Sequence, residues 1–323
     1  MTAITTYLHG LYPHSEALVA MNRDAAHGRR LPGAVAGQRR VDALALAGLQ
    51  RQAGLTYVSS GLLAWQDLFR PLVAAGPDWT TGPLRRWFDN NAFVRVPVLR
   101  GKIRLDPDLL EVDASEVGTL PGPFTFSRFA ETDLDRDRLI GALARDVLRP
   151  AAEKLVARGA RVIQLQEPWL VAHGITDRCW EELAAAVAAV RVGLGAPVVV
   201  HTYFGDAGPW LDRLRGLPAD AVGIDLTETD VAALGGGWTT GILAGCLDGR
   251  SSLVEDVSSV AALARQIIAI ARPPELILSS NCDLEFVPRD IADRKTLVLG
   301  EAARAVRAAA RAPEDEGNEE REC

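Results

Sequence analysis

Two hydrophobic rhythms alternate along the chain. Short aliphatic and β-branched runs, such as RVIQLQ at 161–166 and PVVVHT at 197–202, are followed by longer Ala/Leu/Arg stretches with apolar residues three and four apart. The short runs suit buried parallel strands, and the longer stretches suit amphipathic helices laid over them. The pattern predicts eight strands, at 5–10, 56–60, 124–127, 161–166, 197–202, 221–226, 240–245 and 276–281. Eight strand–helix units in 323 residues specify a single (β/α)8 barrel. Helices are plainest over 133–158 and 177–192, where Asp near each start favours the helix dipole. Pro150 is expected to kink or divide the first of them.

One stretch breaks the alternation. Segments 92–99 and 102–105 flank Arg100-Gly101 and read as a β-hairpin inserted between the second and third strands. No interdomain linker interrupts 1–311, whereas 312–323 (APEDEGNEEREC) is acidic and reads as a disordered tail.

Charge and composition narrow the function. A net charge of −7 offers no basic face for nucleic acid or an anionic membrane, so neither is expected as a partner. No apolar run reaches the roughly 18–20 residues that span a bilayer, and MTAITTYLHG lacks the features of a signal peptide. Four cysteines do not make a disulfide scaffold, so a cytoplasmic setting is expected. Gly235-Gly236-Gly237 is a flexible connection rather than a dinucleotide fingerprint, and no nucleotide cofactor is expected.

A parallel barrel places its chemistry at the carboxyl ends of the strands. Polar residues gather at those points: His9, Trp65 with Asp67, Gln166 with Glu167, His201 with Tyr203, Asp225, Asp248 with Arg250, and Asn281-Cys282-Asp283. His201, Asp225 and Cys282 end three different strands, so an imidazole, a carboxylate and a thiolate could share one ion, and that donor mixture suits Zn2+. A packed histidine, a helix cap and a buried thiol account for the same three residues without any metal. Trp65 and Asp67 either overhang the barrel mouth or begin a helix.

The order of motifs resembles the catalytic, C-terminal barrel of the cobalamin-independent methionine synthases and their short archaeal relatives. That family lies within the uroporphyrinogen decarboxylase/methionine synthase superfamily. The resembling pieces are HGLYP at 9–13, WFDNNAFVRVPVLRGKI at 87–103, LPGPFTFSRF at 120–129, QLQEPWL at 164–170, VVVHTYFGD at 198–206, GCLDGRSSLVED at 245–256 and LSSNCDL at 278–284. The resemblance implies Zn2+ held by His201, Asp225 and Cys282, where the family has His, Glu and Cys. Tyr203, a possible further ligand, stands where the family has a second Cys. It implies His9, Gln166 and Glu167 about the substrate, where the strand-end position of Trp65 and Asp67 also places those two, and Asp248 and Arg250 as catalytic residues, Arg250 replacing a family histidine.

The implied activity is transfer of a methyl group to a thiol, homocysteine or a related acidic thiol, in methionine biosynthesis. The donor would be a folate or a corrinoid protein. Family substrate positions read Leu62, Gln166 and Leu11 here, which argues against homocysteine and, with Arg250, for an acidic substrate. Two other readings stay open: an altered enzyme acting on a carboxylated substrate by decarboxylation, C–S chemistry or group transfer, and a ligand-binding barrel without turnover.

Overall fold

The computed structural model describes residues 2–309, so the tail expected at 312–323 lies outside the described residues. Among the described residues nine strands form in chain order: β1 (Ala3–Thr6), β2 (Trp79–Arg86), β3 (Phe93–Leu99), β4 (Val117–Pro121), β5 (Val162–Gln166), β6 (Val198–Thr202), β7 (Ala221–Asp225), β8 (Gly241–Leu247) and β9 (Glu275–Ser280). Seven of them make one curled parallel sheet in the order β1-β9-β8-β7-β6-β5-β4. The helices that cover it are α1 (Glu16–Ala26), α2 (Pro32–Ala53), α3 (Arg70–Ala74), α4 (Pro123–Phe129), α5 (Arg136–Leu143), α6 (Arg149–Ala157), α7 (Pro168–His173), α8 (Asp177–Arg191), α9 (Leu211–Arg215), α10 (Val257–Ala271) and α11 (Arg289–Ala309). No helix among the described residues is long and apolar enough to cross a membrane.

The barrel closes through the expected second strand, but not as a ladder strand. Between β1 and β4 runs 56–60, where Thr56 and Tyr57 donate to the Thr6 carbonyl and Glu116 donates to the Val58 carbonyl. Its other amides turn to side chains: Val58 N to Glu116 Oε2 at 2.9 Å and Ser60 N to Ser115 Oγ at 3.0 Å.

The third strand lies earlier than its β-rich sequence suggests. Residues 124–127, expected as a strand, belong to α4, and the strand is β4. Pro123 occupies the first helical turn with Gly122 as N-cap, a placement that suits proline because its missing N–H costs nothing there. The Glu167 carboxylate then accepts the Phe124 and Thr125 amides, each at 2.8 Å, and so completes the helix start.

The hairpin stands between the second and third staves as expected, with a different partner. β3 pairs antiparallel with β2, not with 102–105. The Arg100 and Lys102 amides instead bond Asp78, and the Leu105 amide reaches the Asp146 carbonyl at 2.9 Å. That carbonyl is free because Pro150, four residues on, has no N–H to offer it. The predicted division of the helix is the π turn Ala144–Leu148 between α5 and α6.

Register explains the site. Strand side chains alternate with period two, and Val117, Val162, Val199, Ala221, Leu243 and Ile277 form one apolar cluster with Tyr7 and Tyr57, distinct from the core beneath the helices. Two residues further along these strands the inward positions are Thr119, Gln164, His201, Gly223, Gly245 and Ser279, and then Gln166 and Asp225. The interior therefore changes from apolar to polar toward the carboxyl ends.

Candidate functional site

At that end His9, Gln166, His201, Tyr203, Asp225, Cys282 and Asp283 are all buried. Gln166 is the hub. Its Nε2 donates to Asp283 Oδ1 at 2.8 Å and lies 3.2 Å from His9 Nδ1, while its Oε1 accepts the Tyr203 hydroxyl at 2.7 Å. His9 Nε2 sits 3.1 Å from the Ser280 carbonyl. Gly10 makes the crossing possible: its φ is +68°, and a Cβ there would lie 1.6 Å from Asp283 Oδ1.

His201 Nδ1 is 3.0 Å from Gln164 Nε2, and its Nε2 has no protein partner. Burial, then the nearby His9, hold its pKa well below the ordinary value, so the ring is neutral. It packs over β7 at Gly223, where a Cβ would approach its Cδ2 to 2.4 Å.

The expected metal donors share one end of the barrel but do not converge. Among the described residues no group of three or more His, Cys, Asp or Glu is placed to hold a metal. Asp225 Oδ1 accepts Thr227 N, Thr227 Oγ1 and Asn281 Nδ2, and its Oδ2 accepts Phe204 N. Tyr203 spends its hydroxyl on Gln166, and burial raises its pKa well above the ordinary value. Burial, then Asp283 and Asp225, push the Cys282 thiol well above its usual range. Asp225 and Tyr203 are thus committed to protein partners, whereas the buried His201 Nε2 has none.

Above this floor opens a cleft of about 850 Å3 lined by Asp67, Trp87, Asp248, Arg250, Asp283 and Glu285, among others. Asp67 accepts the Phe69, Arg70 and Arg95 amides and pairs with Arg70 at 3.1 Å. Arg250 pairs with Glu228 and lies over the Phe204 ring, 5.3 Å from its centroid. The loop bearing Asp248 is anchored from below. Asp248 N donates to Glu255 Oε1 at 2.8 Å, and the fully buried Lys295 of α11 donates to both Glu255 oxygens. Glu285 is pushed up to about 8, first by burial and then by Asp283 and Asp67.

Two expected substrate contacts sit elsewhere. Both Glu167 oxygens are engaged by α4, and Trp65 is buried with its Nε1 donating to the Glu111 carbonyl. Sequence reasoning passed over Gln164, Glu255, Glu285 and Lys295, and gave no role to Asn281 or Asp283. The signal for Gln164 was available: a polar residue at an inward position of the buried run VIQLQ, in step with Gln166.

A parallel barrel with a polar, cleft-bearing carboxyl end defines a barrel of the enzyme and ligand-binding class. Residues 73–272 match the family described as the cobalamin-independent synthase, N-terminal domain, and the chain belongs to that family. The sequence motifs placed the likeness on the catalytic barrel, whereas the matched part is the N-terminal domain.

Among similar proteins, the 5-methyltetrahydropteroyltriglutamate–homocysteine methyltransferase of Rhodococcus jostii is 32% identical over 246 residues, covering 69% of this chain and 31% of the relative. The methionine synthase of Sulfurisphaera tokodaii is 26% identical over 246 residues, 70% of this chain and 69% of the relative. The chain thus spans about three tenths of the length of the longer curated relatives. In fold it is similar to a B12-independent methionine synthase from Shewanella (TM-score 0.72, 16% identity, 87% of this chain and 91% of the other). It is also similar to a putative vitamin-B12 independent methionine synthase from Listeria monocytogenes (TM-score 0.71, 15% identity, 94% and 99%).

Proposed function

We propose that the protein is a methionine-synthase-like methyltransferase whose cleft takes homocysteine as a zwitterion. The observation that supports this is the charge arrangement of the cleft: carboxylates of Asp67, Asp283 and Glu285, with the guanidinium of Arg250 lining the same space. An ammonium would answer the Asp283–Glu285 pair, and an α-carboxylate would answer Arg250. This favours an amino acid over the purely acidic substrate that Leu62, Gln166, Leu11 and Arg250 together suggested.

The names of the relatives point to a methyltetrahydropteroyl donor. In the transfer the donor's N–CH3 bond breaks and an S–CH3 bond forms, while the thiol proton leaves and the donor nitrogen gains one. The protein's part is to hold the acceptor in line and keep water out.

Calorimetry with methionine, which has no thiol, tests the binding. Because an ammonium beside Glu285 lowers the pKa of that carboxyl, binding near pH 7 should release protons, read as a buffer-dependent heat. Asp283→Asn and Arg250→Ala should each weaken binding roughly tenfold to a hundredfold. Absence of binding, or affinity unchanged in both variants, would overturn the assignment.

A barrel that binds the same ligand without turnover is the second reading, favoured by the match to the N-terminal domain and by the unassembled donors. Methionine binding without methyl transfer from 5-methyltetrahydropteroyltriglutamate to homocysteine would select it.

A further inference from the structure

Away from the cleft, a groove of about 680 Å3 runs between α2 and the turns that lead into β4 and β5. Its floor on α2 is made of small side chains, Ala43 and Ala47, with Arg40 and Arg51 continuing the same helical face in both directions. Arg39 stands beside Arg40, and Arg158 faces them from the end of α6. These four guanidinium groups have no hydrogen-bond acceptor or ion-pair partner among the described residues, and Arg39 Nε is buried without one. Most other arginines of the surface are paired: Arg29, Arg149, Arg191, Arg213 and Arg289 each meet a carboxylate. The groove has two carboxylates of its own, and one of these, Glu116, already holds Val58 N and Arg161. Arg40 and Arg51 are eleven residues apart, on the order of 16 Å along a helix, so the groove suits an elongated ligand with several negative charges.

The chain carries such a segment, and α11 delivers it close by. Arg304 donates to the Ala53 carbonyl at 2.8 Å, and Gly300 packs so closely on Ala53 that a Cβ would lie 1.9 Å from its oxygen. The second half of α11 therefore rests on the end of α2, two residues beyond Arg51, and Ala309 follows five residues after Arg304. Past Ala309 the sequence reads ARAPEDEGNEEREC, with acidic residues at 314, 315, 316, 319, 320 and 322. The five residues from 309 to 314 reach up to ~17 Å and nine more reach ~30 Å, enough to enter and fill the groove.

We propose that this groove is the docking site of the chain's own acidic segment, 314–322. It is independent of the cleft chemistry. Its energy is mainly electrostatic, so it weakens as salt shortens the screening length.

The test uses the full chain with a fluorophore on Cys323, since Cys179, Cys246 and Cys282 are buried. Steady-state anisotropy should be about twofold higher at about 50 mM salt than at about 500 mM, and independent of protein dilution. Arg40→Glu with Arg51→Glu should give the high-salt value at low salt, with the circular-dichroism melt unchanged. Glu314→Lys, Glu316→Lys, Glu319→Lys and Glu320→Lys in that background should restore it. Anisotropy that ignores salt, or that ignores the groove variant, would overturn the proposal. So would a signal that falls on dilution, which would mean that the segment docks on a second copy.

Discussion

Each polar side chain at the barrel mouth is oriented by what its neighbour can accept. The Asp283 carboxylate only accepts, so the Gln166 amide turns its nitrogen there, its oxygen faces Tyr203, and the phenol must donate. His9 then receives the second Nε2 proton on Nδ1 and donates from Nε2 to Ser280. Glu285 is the exception, a half-buried acid whose neighbours Asp283 and Asp67 oppose its ionisation. Its pKa in the fold, about 8, lies above the ordinary 4.5, so the folded state binds the proton more tightly than the unfolded chain. Stability from this group is complete below about pH 4.5 and is lost as pH rises toward 8. Glu285→Gln should therefore raise Tm by roughly 2–4 °C at pH 8.5 and leave it unchanged below pH 5. Scanning fluorimetry across that range decides it, and an equal shift at both ends would mean that charge is not the cause.

Among the elements, α4 shows most plainly what the sequence could and could not convey. FTFS at 124–127 has strand propensity, yet Glu167, over 40 residues away, supplies the carboxylate that starts a helix there. Such a contact is non-local, and propensity cannot see it. The break between α5 and α6 was legible because Pro150 is local, though not that it takes the form of a π turn. The hairpin was legible from β3, but Arg100-Gly101 mimicked its turn while the true partner lay upstream at β2. Strands β5 to β9 were read within a residue or two because both faces are buried and their runs are unbroken. Of the site, the polar residues at strand ends were found, whereas Glu285 and Lys295 lie on later turns and helices that only folding brings back. Glu167→Ala should cost about 2–4 kcal/mol, since two amides and the Thr125 hydroxyl lose their acceptor in a buried place. Chemical denaturation measures it, and Glu167→Gln, which keeps one acceptor oxygen, should recover about half.

Over the whole molecule, seven staves of the barrel are locked by ladders of amides, and the eighth is tied largely by side chains. Val58 depends on the Glu116 carboxylate and Ser60 on a serine hydroxyl, groups that can swing aside without disturbing a neighbouring strand. Opening there need not await global unfolding. In deuterium-exchange mass spectrometry, peptides covering 56–61 should take up label roughly ten to a hundred times faster than those covering β5 to β9. Equal protection would show a seamless barrel. Otherwise the hoop has a latch, and a binding event that bridges 58–60 to α2 would tighten the barrel circumference without touching the residues at its mouth.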